Sequence, residues 1–225
     1  MSSLIQRSIR SRASLPLALL ATLTLGPAVV HAADLQITVN DPGGQPLADM
    51  VMYAEPVGGA TAPQPYSGAQ VVIDQIHKEF VPRVTVVQTG TSIDFPNSDN
   101  IRHEVYSFSP AKDFTSKLYS GKPAAPVVFD KPGAVALGCN IHDHMLAWVR
   151  VVDTPYFAKS GADGVGTIAG LKPGDYRLSV WYPAADSEPE VQQIHVDAEG
   201  THLAVQLHPP VSQAATAAAA AHSPN

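Results

Sequence analysis

Residues 134–152, AVALGCNIHDHMLAWVRVV, have the pattern of two apolar strands joined by a short polar loop. The first strand, AVALG, runs up to Cys139, and the second, LAWVRVV, follows directly after Met145. Short apolar runs bounded by polar and turn-forming residues are typical of strands that are buried in a β-sheet. A loop that neighbouring strands hold at both ends keeps its side chains in nearly the same place.

The rest of the chain indicates the same kind of structure. From residue 33 onward apolar residues alternate with a period of two, between turns rich in Gly, Pro, Asn and Asp, whereas helical spacing occurs only in the first 32 residues and in the alanine-rich tail. Short strands at this spacing form sandwiches or barrels. We therefore predict an all-β protein in which His103 opens the strand HEVYSF and the aromatic residues Tyr106, Phe108 and Trp148 lie in the core.

Residues 1–32 have the pattern of a secretory signal peptide. Three arginines precede the apolar stretch LPLALLATLTLGPAVV, which ends in a small-residue cleavage site at Ala32. That stretch is shorter than the roughly 20 apolar residues that a membrane-spanning helix needs. We expect cleavage after Ala32, a periplasmic location and no membrane span.

The charge of the mature chain limits its partners. Of 14 Lys and Arg residues, loss of the three signal arginines leaves 11 against 20 Asp and Glu, a formal net charge of −9. This acidic balance argues against binding to nucleic acid or to an anionic membrane surface. We expect a monomer with protein partners.

The chain has one cysteine, Cys139, which cannot form an internal disulfide. Core packing, an intermolecular bridge or a metal could each account for it. His142 and Met145 follow at three and six positions, and thiolate, imidazole and thioether together suit copper in both oxidation states. A trigonal copper site needs a second histidine. His103 is the best candidate, whereas His77 lies among charged residues and is expected at the surface.

Two segments together resemble a known family. FVPRVTVVQTGTSIDFPNSDNIRHEV, residues 80–105, and GAVALGCNIHDHM, residues 133–145, resemble cupredoxins of the plastocyanin and amicyanin type, especially the group named methylamine-utilisation proteins. The likeness covers residues 71–153, and the Cys-x-x-His-x-x-Met spacing matches the short amicyanin-like loop. It implies a Greek-key β-sandwich that carries single electrons through one type 1 copper site. The ligands that it implies are His103, Cys139, His142 and Met145.

Two positions in this region depart from the pattern. Many cupredoxins have an asparagine after the first histidine, where this chain has Glu104. A carboxylate there could accept hydrogen bonds beside the metal or reach the metal itself. His144 either points to solvent or competes with Met145 for the axial position.

The flanking segments resemble a second kind of β-sandwich. Residues 34–60 and 155–208 are similar to the two parts of a carboxypeptidase-regulatory-like or transthyretin-like domain, with residues 71–153 inserted into it or packed beside it. A single larger sandwich with continuous topology is the alternative. Residues 209–225 are a low-complexity tail that we expect to be disordered.

The preferred function is that of a periplasmic type 1 copper protein that carries electrons between redox partner proteins. The alternative is copper binding for delivery, storage or sensing, although Met50 and Met52 are better explained as core residues than as exchangeable copper ligands. We expect no enzymatic activity, because further copper sites would require additional histidine clusters and the sequence has no catalytic motif of the common kinds.

Overall fold

The computed structural model describes residues 32–58, 70–123, 125–183 and 187–208. The predicted signal peptide, except for Ala32, and the predicted disordered tail lie outside the described residues. The described residues form strands and turns and contain no α-helix, which confirms the all-β prediction. The strands are β1 Ala33–Asn40, β2 Val51–Pro56, β3 Val71–Val72, β4 Asp74–Ile76, β5 Glu79–Val81, β6 Val84–Gln88, β7 Thr91–Asp94, β8 Tyr106–Ser109, β9 Lys112–Thr115, β10 Val127–Phe129, β11 Gly133–Gly138, β12 Leu146–Val152, β13 Phe157–Lys159, β14 Val165–Leu171, β15 Gly174–Trp181, β16 Glu190–Val196 and β17 Thr201–Gln206.

Two sheets are built from strands near the two ends of the described chain. One has the order β14-β1-β17 and the other β13-β2-β15-β16. Alternate residues of β1, Leu35, Ile37 and Val39, are fully buried, and they pack with Met52 and Leu178 of the facing sheet. The period-two pattern of β1 therefore gives one buried face, as expected for a strand of a sandwich. The resemblance of this part to a transthyretin-like domain stays a prediction.

Two further sheets enclose a second core. Their strand orders are β6-β12-β11-β8-β9 and β10-β7-β3, and the hairpin β4-β5 lies next to them. β11 and β12 are antiparallel neighbours, with Gly138 opposite Leu146. The buried cluster between these sheets includes Phe129, Leu137, Cys139 and Met145. The loop singled out in the sequence therefore lies at the end of this core.

β12 is buried on both faces. Ala147, Val149 and Val151 belong to the second core, whereas Trp148 and Val152 belong to a third cluster. That cluster joins the five-stranded sheet to the outer face of β2 and β15 and contains the residues Val51, Tyr53, Val84 and Trp181. The alternation of β12 thus places the five-stranded sheet between two apolar layers.

Two details of the sequence prediction are wrong. His103 does not open a strand: it forms an isolated bridge with Tyr119, and β8 begins three residues later. Phe108 is not a core residue, because it is 74% exposed. The preceding residue of β8, Ser107, is the one that is buried. The described residues contain no helix that is long and apolar enough to cross a membrane.

Candidate metal centre

The loop between β11 and β12 is closed by two successive backbone hydrogen bonds that link Cys139, His142 and Met145. The amide of His142 donates to the carbonyl of Cys139 at 3.4 Å, and the amide of Met145 donates to the carbonyl of His142 at 3.0 Å. Two successive turns of this kind reverse the chain within seven residues. The loop therefore brings Nδ1 of His142 to 3.8 Å from Sγ of Cys139, and Met145 lies in the same buried cluster as Cys139.

His103 reaches the loop from a separate segment. Its amide donates to the carbonyl of Tyr119 at 3.0 Å, and the amide of Tyr119 donates back at 2.9 Å. Tyr119 is itself fixed, because its hydroxyl donates to the carbonyl of Phe95 at 2.5 Å and accepts from Nε2 of the buried Gln75 at 2.6 Å. The imidazole of His103 is completely buried.

The two imidazoles and the thiol converge on one point. Nδ1 of His103 lies 3.7 Å from Sγ of Cys139, and Nδ1 of His142 lies 3.8 Å from the same atom. One potential ligand atom from each of the three residues lies within 4.8 Å of the other two. Three atoms at such separations share a point between about 2 and 2.5 Å from each, which is the length of metal–nitrogen and metal–sulfur bonds.

Burial differs among the four predicted ligands. The exposed fraction is 0% for His103, 3% for Cys139 and 2% for Met145, whereas His142 is only partly buried. Met145 belongs to the same buried cluster as Cys139. The sulfur atoms are thus shielded from water, and His142 lies between them and the solvent.

The surroundings of His142 favour its neutral form. Removal from water lowers the pKa of its imidazole, positive charge on His103, Lys78 or His144 lowers that pKa further, and the carboxylate of Asp99 raises it by a smaller amount. A neutral imidazole has a lone pair on the nitrogen that does not carry the proton. His142 is therefore suited to bind a metal at neutral pH.

Asp99 is a member of the site that sequence reasoning missed. Its Oδ2 lies 2.8 Å from Nε2 of His103, on the opposite side of the ring from Cys139. Burial by itself raises the pKa of Asp99, but hydrogen bonds from the amides of Lys78 and His77 and from the ring of His103 lower it below its usual value. The only signal in the sequence is an aspartate four residues before a candidate ligand.

The remaining candidates lie outside the group of three. His77 and His144 are exposed, as expected for His77 and for one of the two interpretations of His144. The ring of His144 is 5.9 Å from that of His142. Glu104 is half-buried, and within the part of the chain that the structure describes the ligand-atom group contains His103, Cys139 and His142 without it.

Several solved structures are similar to part of this chain. A Cu-containing nitrite reductase from Thermus scotoductus SA-01 matches 52% of this chain and 28% of its own, at 23% identity and a TM-score of 0.35. A purple cupredoxin from Nitrosopumilus maritimus matches 38% of this chain and all of its own, at 21% identity and a TM-score of 0.32. An amicyanin variant in its reduced Cu(I) form matches 44% of this chain and 99% of its own, at 16% identity and a TM-score of 0.35.

This chain therefore spans less than a third of the length of the nitrite reductase, but nearly the whole of the two smaller proteins. No protein-family model matches the sequence, and no curated protein matches it either.

Proposed function

We propose that this chain binds one copper ion in a type 1 site formed by His103, Cys139, His142 and Met145, and that it carries single electrons between protein partners. The observation that carries the proposal is the convergence of two imidazole Nδ1 atoms on one buried sulfur, at 3.7 and 3.8 Å. Bound copper supplies the one-electron couple between Cu(II) and Cu(I).

The donor set fits copper better than it fits other common metals. Two imidazoles with one thiolate form the trigonal group of a type 1 site, and a thioether is its usual weak axial ligand. Structural zinc sites take four strong ligands from Cys, His, Asp or Glu. The group found within the described residues has only three donors of that kind, and Met145 is buried in the cluster beside it.

Electron transfer, rather than copper delivery, is supported by the burial of the site. Delivery requires ligands that exchange readily, whereas His103, Cys139 and Met145 are almost completely buried. β11 and β12 hold both ends of the ligand loop, so the donors move little when the charge of the metal changes. His142 is the one ligand of the four that reaches the surface, and its ring edge gives electrons a short route to a partner.

The cellular setting is part of the same proposal. The signal-like residues 1–32 support export to the periplasm, and the acidic mature chain supports a monomer that meets protein partners rather than nucleic acid. The sandwich built from β1, β2 and β13–β17 serves as a flanking module without a catalytic role. A methylamine-utilisation setting rests on the sequence resemblance alone.

The test is titration of the mature protein with Cu(II), followed by absorption and electron spin resonance. We expect an intense visible thiolate-to-copper band at one equivalent, which Cys139→Ser removes while the circular dichroism of the fold is kept. The S···N distances would also suit thiol–imidazole hydrogen bonds without a metal. A titration without such a band would therefore refute the proposal.

Methionine substitutions test the fourth ligand. Met145→Leu should keep the band and raise the reduction potential, because a weak axial donor to Cu(II) is lost. Met50→Leu is the matched control, since Met50 is an equally buried methionine in the other core. Equal potentials in the two variants would exclude Met145 as a ligand. Rapid copper transfer to a chelator, with no electron exchange with a cytochrome, would favour delivery.

A further inference from the structure

The carboxylate of Asp99 joins the candidate ligand His103 to the hairpin β4-β5. Its Oδ2 lies 2.8 Å from Nε2 of His103 and accepts the amide of Lys78 at 2.8 Å, while its Oδ1 accepts the amide of His77 at 2.7 Å. The side chain of Asp99 is 12% exposed. Three hydrogen bonds thus fix both oxygens of a largely buried anion beside the imidazole.

The hairpin turn is shaped to present these two amides. His77 and Lys78 connect β4 to β5, and their φ angles are 55° and 61°, in the left-handed region that residues with a side chain adopt at a cost. Asp99 accepts the amides that this conformation exposes. A further bond, from the amide of Asp99 to Oδ1 of Asn97 at 3.0 Å, fixes its backbone. The position of the carboxylate is therefore set by several contacts besides the one to His103.

This arrangement determines which ring nitrogen of His103 carries its proton. A carboxylate can only accept a hydrogen bond, so Nε2 of His103 must donate to it. In the neutral ring the lone pair then belongs to Nδ1, the atom that faces Sγ of Cys139 at 3.7 Å. Contacts of this kind orient ligand histidines and make them stronger donors.

We propose that Asp99 is a positioning residue of the metal site, which holds the proton of His103 on Nε2, directs Nδ1 toward the metal and lowers the reduction potential. The proposal rests on the proposed copper site and goes beyond its ligand set. The lower potential follows because a fixed negative charge and a more basic imidazole stabilise Cu(II) more than Cu(I). Glu104 does not take this role, since Asp99 already occupies the second nitrogen of the ring.

The experiment compares Asp99→Asn with Asp74→Asn in the copper-loaded protein. Asp74 is a carboxylate of the same hairpin whose oxygens accept from Ser98 and from the amide of Gln75 rather than from a ligand. Loss of such an outer contact typically weakens metal binding by about 10- to 100-fold. If the weaker binding affects Cu(II) and not Cu(I), the reduction potential of Asp99→Asn rises by about 60 to 120 mV, because a tenfold change in relative affinity corresponds to about 59 mV. The copper affinity of Asp74→Asn should stay within about threefold of the wild type, because Asp74 contacts no candidate ligand and its partly exposed charge is screened.

A second measurement does not depend on the variant, and its metal-free arm does not depend on bound copper. The ¹⁵N shifts of the His103 ring in the wild-type protein, both metal-free and loaded with Cu(I), should show the proton on Nε2. Protonation at Nδ1 in the metal-free protein would overturn the proposal, and so would equal potentials in a wild type and an Asp99→Asn variant that both show the visible band. If the wild type bound no copper, the proposed function would fail, and the ring shifts would still decide whether Asp99 sets the tautomer.

Discussion

Replacement of Trp181 tests whether the cluster between the two sandwiches stabilises the whole protein. The side chain of Trp181 is completely buried, and its ring meets that of Trp148 edge-on at a centroid distance of 6.3 Å. The guanidinium of Arg150 lies 5.5 Å from the centre of the same ring. The indole N–H donates to the carbonyl of Ser187 at 2.9 Å.

These contacts give the size of the effect. Truncation of a buried tryptophan to alanine costs about 3 to 5 kcal/mol, because apolar burial is lost and a cavity remains. The edge-on ring pair and the cation–π contact bring the expected loss for Trp181→Ala toward the upper end of that range. Trp181→Phe keeps most of the ring but loses the hydrogen bond to Ser187, so about 1 to 2 kcal/mol is expected.

Urea unfolding of the metal-free protein, followed by circular dichroism, measures both losses. Val191→Ala is the control, because Val191 is 55% exposed and a surface change of this kind stays within about 0.5 kcal/mol. The visible copper band should be unchanged in both Trp181 variants, since Trp181 of β15 packs with Trp148 in the cluster on one side of the five-stranded sheet and Cys139 belongs to the core on the other side. A loss below about 1 kcal/mol for Trp181→Ala would refute the stabilising role. Loss of the band in a folded variant would refute the separation of the two faces.

Two further predictions concern polar groups. Tyr119→Phe should lower the free energy of unfolding by about 0.5 to 1.5 kcal/mol, because two hydrogen bonds of the hydroxyl are lost while Nε2 of Gln75 still donates to the carbonyls of Phe95 and Pro96. In the wild type, burial raises the pKa of Tyr119 to about 12, which ultraviolet titration can check. Asp175, whose Oδ1 lies 2.6 Å from Nδ1 of His195, raises the pKa of that imidazole by its hydrogen bond. The contact between His195 and Asp175 therefore contributes its full stabilisation below the pKa of His195 in the unfolded protein. That stabilisation is lost as the pH rises through the pKa of His195 in the folded protein. Asp175→Asn should lower the pKa of His195 in an NMR titration, and an unchanged pKa would contradict this assignment.

The ligand loop could be predicted from the sequence because its determinants are local. The residues from Gly133 to Val152 contain two apolar strands and a loop with donors at intervals of three, and all of that is visible in one stretch. The proximity of His103 to Cys139 depends on long-range packing. It was predicted through the family resemblance and the need for a second histidine, and the structure brings the two side chains together at 3.7 Å.

The errors come from features that a period-two pattern does not contain. In β8 Ser107 is buried and Phe108 is exposed. The rule that apolar residues of a strand face the core therefore predicts the wrong face of β8 as the buried one. The role of Asp99 requires the hairpin β4-β5 to fold back onto residues 97–103, and no local pattern encodes that approach. Trp148 is a core residue as predicted, but its core is the cluster shared with the flanking sandwich.

The contrast between the two ligand segments explains why polar contacts gather around His103. β11 and β12 each have a partner strand on both sides in the five-stranded sheet, so the loop that carries Cys139, His142 and Met145 is held at ends that resist fraying. His103 has only an isolated bridge to Tyr119. Packing of the buried ring does not by itself decide which ring nitrogen carries the proton. The hydrogen bond to Asp99 adds the orientation that the backbone does not supply. A change at Asp99 should therefore alter the properties of the candidate metal site more than the same change at Asp74, which contacts no candidate ligand.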